Sequence, residues 1–183
     1  ANSSAHSAVP VLMQNLPFDT VRDLSGVTIL AELPLVMVIA RSKGIPNVRE
    51  LVAAAKAKPG AITFASAGVG TAGHLGSEKF RIASGIDTLH IPFKSTTDGM
   101  VEVMAGRVDF VYTAVASALS AIREGTLVPL ALSSKRSAVL PDVMTIEEAG
   151  VANAGYSVWT GLLAPSKTPR EIVNRLHQEI VKV

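Results

Sequence analysis

Seven apolar runs rich in β-branched residues, at 27–31, 35–40, 62–65, 88–91, 108–112, 127–132 and 157–163, recur along these 183 residues with helical patterns between most of them. Short runs separated by amphipathic stretches and by brief Gly, Pro or Ser connections leave few architectures open. The pattern predicts an α/β fold with a mainly parallel sheet covered by helices on both faces. Asn47 with Glu50 three residues later marks a helix start, Leu51, Val52 and Ala55 supply its apolar face, and Pro59-Gly60 ends it. Further helices fit 73–84, 97–105 and 116–124. Thr145 with Glu148 and Thr168 with Glu171 read as two more capping boxes, the second with Pro169 at the first helical position.

The runs 27–31 and 35–40 break the alternation, with only Glu32-Leu33-Pro34 between them and no helix. Such a pair is either a hairpin or one long segment that leaves one lobe and enters another. In the second case 41–155 is a lobe inserted between a partial first lobe made of 1–40 and 156–183. The last helical pattern presents Ile172, Val173, Leu176 and Ile180 at core spacing and runs out without a stop signal, so a covering element is expected beyond this chain.

At 48% hydrophobic, the chain can build one good core or two smaller ones. Seventeen Lys plus Arg stand against fifteen Asp plus Glu, without a run of four like charges, which argues against nucleic-acid binding. The most apolar stretch, 33–40, is interrupted by Pro34 and falls well short of the ~20 residues that span a bilayer, so no direct membrane insertion is expected. With no cysteine, disulfides, thiolate metal sites and Cys nucleophiles are excluded.

The segment Ser66-Ala67-Gly68-Val69-Gly70-Thr71 joins a strand to a helix, and 68–73 is a literal G-x-G-x-x-G. A dinucleotide site also needs an acid at the carboxyl end of the next strand. Asp87 instead precedes that strand, and Ile91-Pro92-Phe93-Lys94 closes it. Glycines still let the backbone turn tightly against a ligand, and a helix start offers unpaired N–H groups with about half a unit of positive charge. Any small anion suits such a turn. Ser66 and Thr71 add hydroxyls able to donate to carboxylate oxygens. A plain strand-to-helix turn with Ser or Thr as cap is the competing reading. So is a nucleotide-binding or hydrolytic α/β enzyme, although Ser66 lacks a sequence-local base and no G-x-S-x-G occurs. His74 would serve as that base only if the fold happened to bring it there. Neither His74 and His90, separated by a helix, nor His177 on the late helix has metal-ligand spacing.

Stretches 51–60 and 63–71 with His74-Leu75, then His90-Ile91-Pro92-Phe93-Lys94, Ser134-Lys135-Arg136-Ser137, Leu140-Pro141-Asp142-Val143, Leu16-Pro17-Phe18-Asp19 and the run from Trp159 to Pro165, stand in order along the chain. Together they resemble the tripartite tricarboxylate receptor, or Bug, family of bacterial solute-binding proteins. The resemblance implies a two-lobed periplasmic-binding-protein fold of the Venus-flytrap, type II kind. It also implies a small carboxylate ligand held in the cleft, no catalysis and no cofactor, and delivery to membrane transporter subunits or a sensor domain from the periplasm. A complete member starts with a strand, a P-[FY]-x-x-G-G turn and a helix and ends later than Val183, so this chain is expected to be a fragment with half of the carboxylate donors and weak affinity of its own.

Carried over residue by residue, the family's second-lobe contact falls on Ser66, Ala67, Gly68, Gly70 and Thr71. Lys94 lies at a strand end beside them, and Ser95 stands where the family has Gly. Thr113 occupies a position where many members carry Asp for a ligand amino group, which weakens an amino-acid ligand. Ser3 and His6 match a T-S-G-x-H-A segment, with Ser3 the contact from the first lobe and His6 a helix-start residue.

Overall fold

The computed structural model describes residues 2–3, 8, 10–11, 13 and 15–182. Its contacts divide the chain into two compact units, Ala1–Leu33 with Val158–Val183, and Pro34–Ser157.

The larger unit holds strands β3 (Leu35–Ala40), β4 (Ile62–Ser66), β5 (Thr88–Pro92), β6 (Phe110–Ala114) and β7 (Leu127–Leu132) in the order β5-β4-β6-β3-β7. Helices α1 (Val48–Ala57), α2 (Ala72–Ser84), α3 (Thr96–Met104) and α4 (Val115–Arg123) connect them. β4 runs parallel to β5 and β6, whereas β3 is antiparallel to β6 and β7. Four strands therefore point one way, but half of the pairings are antiparallel, which corrects the expectation of a mainly parallel sheet. β3, the first strand of this sheet in chain order, is the one that runs opposite to the other four. β3 pairs with β6 and β7 rather than with the preceding strand, so the hairpin alternative is not what forms. This compact unit takes in all of β3 and runs from Pro34 to Ser157.

All six residues of β3 are buried, as expected of an apolar strand near the middle of a sheet covered on both faces. On one face Val36, Val38, Ala65 and Val111 pack with Val103 of α3 and Val115 and Ala118 of α4. Gly99 of α3 sets the depth of that packing, because a Cβ there would stand 2.9 Å from the Cβ of Ala65. Elsewhere in the unit Phe110 stacks on Phe64 at 5.6 Å and takes the edge of Phe80 of α2 at 6.0 Å.

Caps obey the sequence selectively. The Glu50 N–H donates to Asn47 Oδ1 at 2.9 Å at the start of α1. The Thr145 box also forms, with the Thr145 N–H donating to Glu148 at 2.8 Å and the Glu148 N–H to Thr145 Oγ1 at 3.2 Å. It closes a single turn and no helix, because Gly150 at φ 98° diverts the chain. The Thr168 box does not form. Pro169 is itself the N-cap of α5 (Arg170–Ile180), and the Thr168 N–H is already spent on the Pro165 carbonyl at 2.9 Å.

At the amino ends of β4 and β6, the Lys43 ammonium meets Asp109 at 2.7 Å, and the same carboxylate accepts from the N–H and hydroxyl of Thr63 at 2.8 and 2.9 Å. This locks one end of the parallel strands and leaves their carboxyl ends to the loops.

The smaller unit has β2 (Leu24–Leu33) and the two-residue β1 (Asn2–Ser3) flanking β8 (Val158–Pro165), both antiparallel to it. α5 covers β2 through Val173 on Val27 and Ala164, and His177 Nδ1 donates to the Val27 carbonyl at 3.1 Å. His6 lies outside the described residues.

Candidate functional site

Three parallel strands end side by side at β5, β4 and β6, and the loops leaving them carry most of the residues singled out in the sequence. The carboxyl ends of such strands are where open α/β sheets bind ligands. From β4 comes the 66–71 turn, from β5 come Phe93, Lys94 and Ser95, and from β6 comes Thr113. The Phe93 N–H donates to the Ser66 carbonyl at 2.8 Å and ties the first two together. Ser3 is in the other unit, where its backbone pairs with Thr160 of β8.

Two positive-φ glycines shape the turn, Gly68 at 111° and Gly70 at 82°, and Val69 between them is 69% exposed. Gly73 lets α2 approach β6 so closely that a Cβ would lie 2.9 Å from the Tyr112 carbonyl oxygen. A side chain at Gly68 or Gly70 would strain the backbone; one at Gly73 would push the helix off the sheet.

The hydroxyls behave differently from the expectation that they would point at a ligand. Ser66 is fully buried, accepts from the Gly68 N–H at 3.0 Å, and lies 2.6 Å from His90 Nε2. The Thr71 hydroxyl donates to the Gly68 carbonyl at 2.7 Å instead of capping α2. Both spend themselves on the turn's own shape. The consequence for the helix is direct. Its first internal bond runs from the Leu75 N–H to the Thr71 carbonyl at 2.9 Å, so the N–H groups of Ala72, Gly73 and His74 have no partner within the helix and no side-chain cap. They are the donors that remain, because the N–H groups of Gly68, Gly70 and Thr71 are already bonded within the turn and to His74.

The sequence reading missed the part played by two histidines. His90 faces Phe64 across the β5–β4 register, with rings stacked at 4.8 Å. His74, in the first turn of α2, accepts from the Gly70 N–H through Nδ1 at 3.3 Å, and its ring centroid is 4.5 Å from that of His90. Burial first, and then the neighbouring His74, hold His90 below the ordinary imidazole range, against a smaller opposing pull from Glu78. The usable signals were the i to i+4 spacing of Gly70 and His74 and the parallel register that puts residue 90 beside residue 64. Neither resembles a metal motif.

Ser66 and His90 have the separation of a nucleophile and its base. Ser66, however, is fully buried, and its hydroxyl is engaged with the turn backbone as well as with His90. Asp87 precedes β5, and its carbonyl accepts from the Gly60 N–H at 3.2 Å, at the end of the strand remote from the glycine turn. Lys94 is exposed, Ser95 caps α3 by accepting from the Asp98 N–H at 3.1 Å, and Thr113 is only 3% exposed.

The family described as tripartite tricarboxylate transporter family receptor matches residues 1–183. Protein BugT of Bordetella pertussis is 33% identical over 182 residues, covering 98% of this chain and 56% of its own length. Among solved structures, MatC from Rhodopseudomonas palustris with bound malate superposes with a TM-score of 0.80 at 26% identity, over 97% of this chain and 60% of that one. R. palustris Rpa4515 with adipate gives 0.77 at 25% identity, over 91% of this chain and 56% of that one. The chain spans about half the length of the curated relatives it matches. Its fold is the two-lobed, type II periplasmic-binding-protein fold of these neighbours, and by sequence and fold together the chain belongs to the receptor family of the tripartite tricarboxylate transporters, the family of the Bug proteins.

Proposed function

We propose that this chain is part of a periplasmic solute receptor that holds a small carboxylate-containing metabolite at the 66–71 turn and passes it to membrane transporter subunits or a sensor domain. In this reading Pro34–Ser157 is the inserted second lobe and the remainder belongs to the first. The observation that carries the reading is the open start of α2, a thirteen-residue helix whose cap hydroxyl is turned away from its first N–H groups. Each hydrogen bond from such a group to a carboxylate is worth about 1.5 to 3 kcal/mol, and the helix dipole adds about 0.3 to 1 kcal/mol. Solved relatives with malate and adipate supply the chemical class. Lys94, exposed just after the neighbouring strand, would meet a second carboxylate or attract the ligand at longer range. Ser95 and Thr113 are the polar groups of the flanking loops, and Ser3 is the candidate contributed by the first unit.

The test is an NMR titration of the isotope-labelled protein with malate, adipate and monocarboxylates, which registers even millimolar affinity. Saturable shifts of the Gly68, Gly70, Ala72 and Gly73 amides are expected. Shifts confined to other regions, or none across the panel, would sink the assignment.

A further inference from the structure

The turn is held from beneath by two imidazoles, and the hydrogen-bond accounting fixes what each must be. The Gly70 N–H can only donate, so His74 Nδ1 must be an unprotonated acceptor. Around Ser66, Oγ already accepts from the Gly68 N–H at 3.0 Å. Its proton has two destinations, the Gly68 carbonyl at 3.1 Å and His90 Nε2 at 2.6 Å. That carbonyl is already served by the hydroxyl of Thr71 at 2.7 Å and its N–H at 3.3 Å. The shorter, less contested bond therefore takes the proton, and a polarised chain runs from the Gly68 N–H through the Ser66 hydroxyl to His90 Nε2. Both glycines with positive φ are thus hydrogen-bonded, directly or through one hydroxyl, to an imidazole that has to be neutral. No other side chain takes an N–H from either glycine among the described residues.

We propose that His74 and His90 are positioning residues whose neutral rings hold the glycine turn in its anion-binding shape, and that a proton on either ring releases it. This rests on the carboxylate reading for its use, while the effect on the turn exists without a ligand. A proton on His74 Nδ1 would confront the Gly70 N–H with a second donor. Protonated His90 would donate to Ser66 Oγ, which already receives the Gly68 N–H, and drive the hydroxyl proton back onto the crowded Gly68 carbonyl. With ring centroids 4.5 Å apart, one imidazolium opposes a second. The charges acting on His90 are His74 and Glu78, both on α2, and Glu78 is paired with Arg81 at 2.8 Å. From β4 the pair is faced by the ring of Phe64 and the Ser66 hydroxyl, neither of them charged.

The test uses conservative replacements that keep an acceptor where the ring nitrogen stood but cannot take up a proton in this range: His74→Asn for Nδ1 and His90→Gln for Nε2, against His74→Leu and His90→Leu. The first readout is ligand-free. In the wild type the Gly68 and Gly70 amide resonances should move together with the ring protons as the pH is lowered from 7.5 to 5, with the His90 ring titrating below the ordinary imidazole range. In the doubly substituted His74→Asn, His90→Gln protein they should stay still.

The second readout is malate affinity. It should fall at least tenfold more for each Leu variant than for its amide counterpart at pH 7.5. The ratio of wild-type to doubly amide-substituted affinity should decline as pH falls, a comparison in which the ligand's own ionisation cancels. Glycine amides indifferent to pH while the rings titrate, or Leu variants that fold and bind as the amide variants do, would overturn the proposal. If the turn responds to the rings but malate never binds, the positioning role stands and the carboxylate reading falls.

Discussion

At the scale of single residues, glycine and hydroxyl positions carry the site for reasons of very different legibility. Gly68 and Gly70 were readable because a strand followed at once by G-x-G and a helix has few ways to turn, and both take up positive φ. Gly73 has a separate duty: its missing Cβ admits the Tyr112 carbonyl oxygen to 2.9 Å from where that atom would be. Gly73→Ala is therefore expected to destabilise the protein by about 1 to 3 kcal/mol, the usual cost of overpacking, because the obstacle is backbone and cannot swing aside. A urea unfolding midpoint equal to that of the wild type would contradict this. What the residues did not reveal is where the hydroxyls of Ser66 and Thr71 point. A sequence assigns a hydroxyl to a loop, but whether it serves the ligand or the loop depends on partners such as His90, twenty-four positions away.

At the scale of elements, helix starts test how far a local signal governs a local structure. Three boxes were legible at Asn47, Thr145 and Thr168; one heads a helix, one closes a lone turn, and one does not form. The signal describes which bonds an end can make, while the chain beyond decides whether a helix follows. Leu51 and Ala55 give α1 a buried face, whereas Gly150 diverts the chain within one turn of Thr145. Asn47→Ala should accordingly cost about 1 kcal/mol of stability, and Thr168→Ala should fall within about 0.5 kcal/mol of the wild type, as surface changes without a lost bond do. Paired thermal or denaturant melts would settle both, and equal losses would mean that the Thr168 side chain caps α5 in solution. The strand order was illegible for a related reason. Apolar runs announce that strands exist, but β3 between β6 and β7 follows from long-range pairing that no window of sequence contains.

At the scale of the whole chain, burial is divided unequally between the two units, and stability should follow. In Pro34–Ser157 the strands β3, β4 and β6 lie inside a five-stranded sheet, and the buried residues form a continuous core across Val36, Val38, Ala65 and Val111. In the smaller unit, among the described residues, Val27, Ala164 and Val173 form a buried cluster, and Ile29, Leu30, Leu33, Ile172 and Leu176 of the same elements are 40% to 61% exposed. Each large apolar side chain taken fully out of water contributes about 1.5 to 3 kcal/mol, so this difference in packed side chains far exceeds the ~1.4 kcal/mol that changes an opening equilibrium tenfold. Local opening of the smaller unit is therefore expected without opening of the larger one. Native-state hydrogen exchange of the 183-residue chain should show amides of β2, β8 and α5 exchanging at least a hundredfold faster than those of Val36 to Ile39 and Phe110 to Tyr112. Raising denaturant should bring the two groups together only as global unfolding takes over. Equal protection from the outset would mean that the two units open as one cooperative body, and the smaller unit's stability would then have to come from something other than its own core.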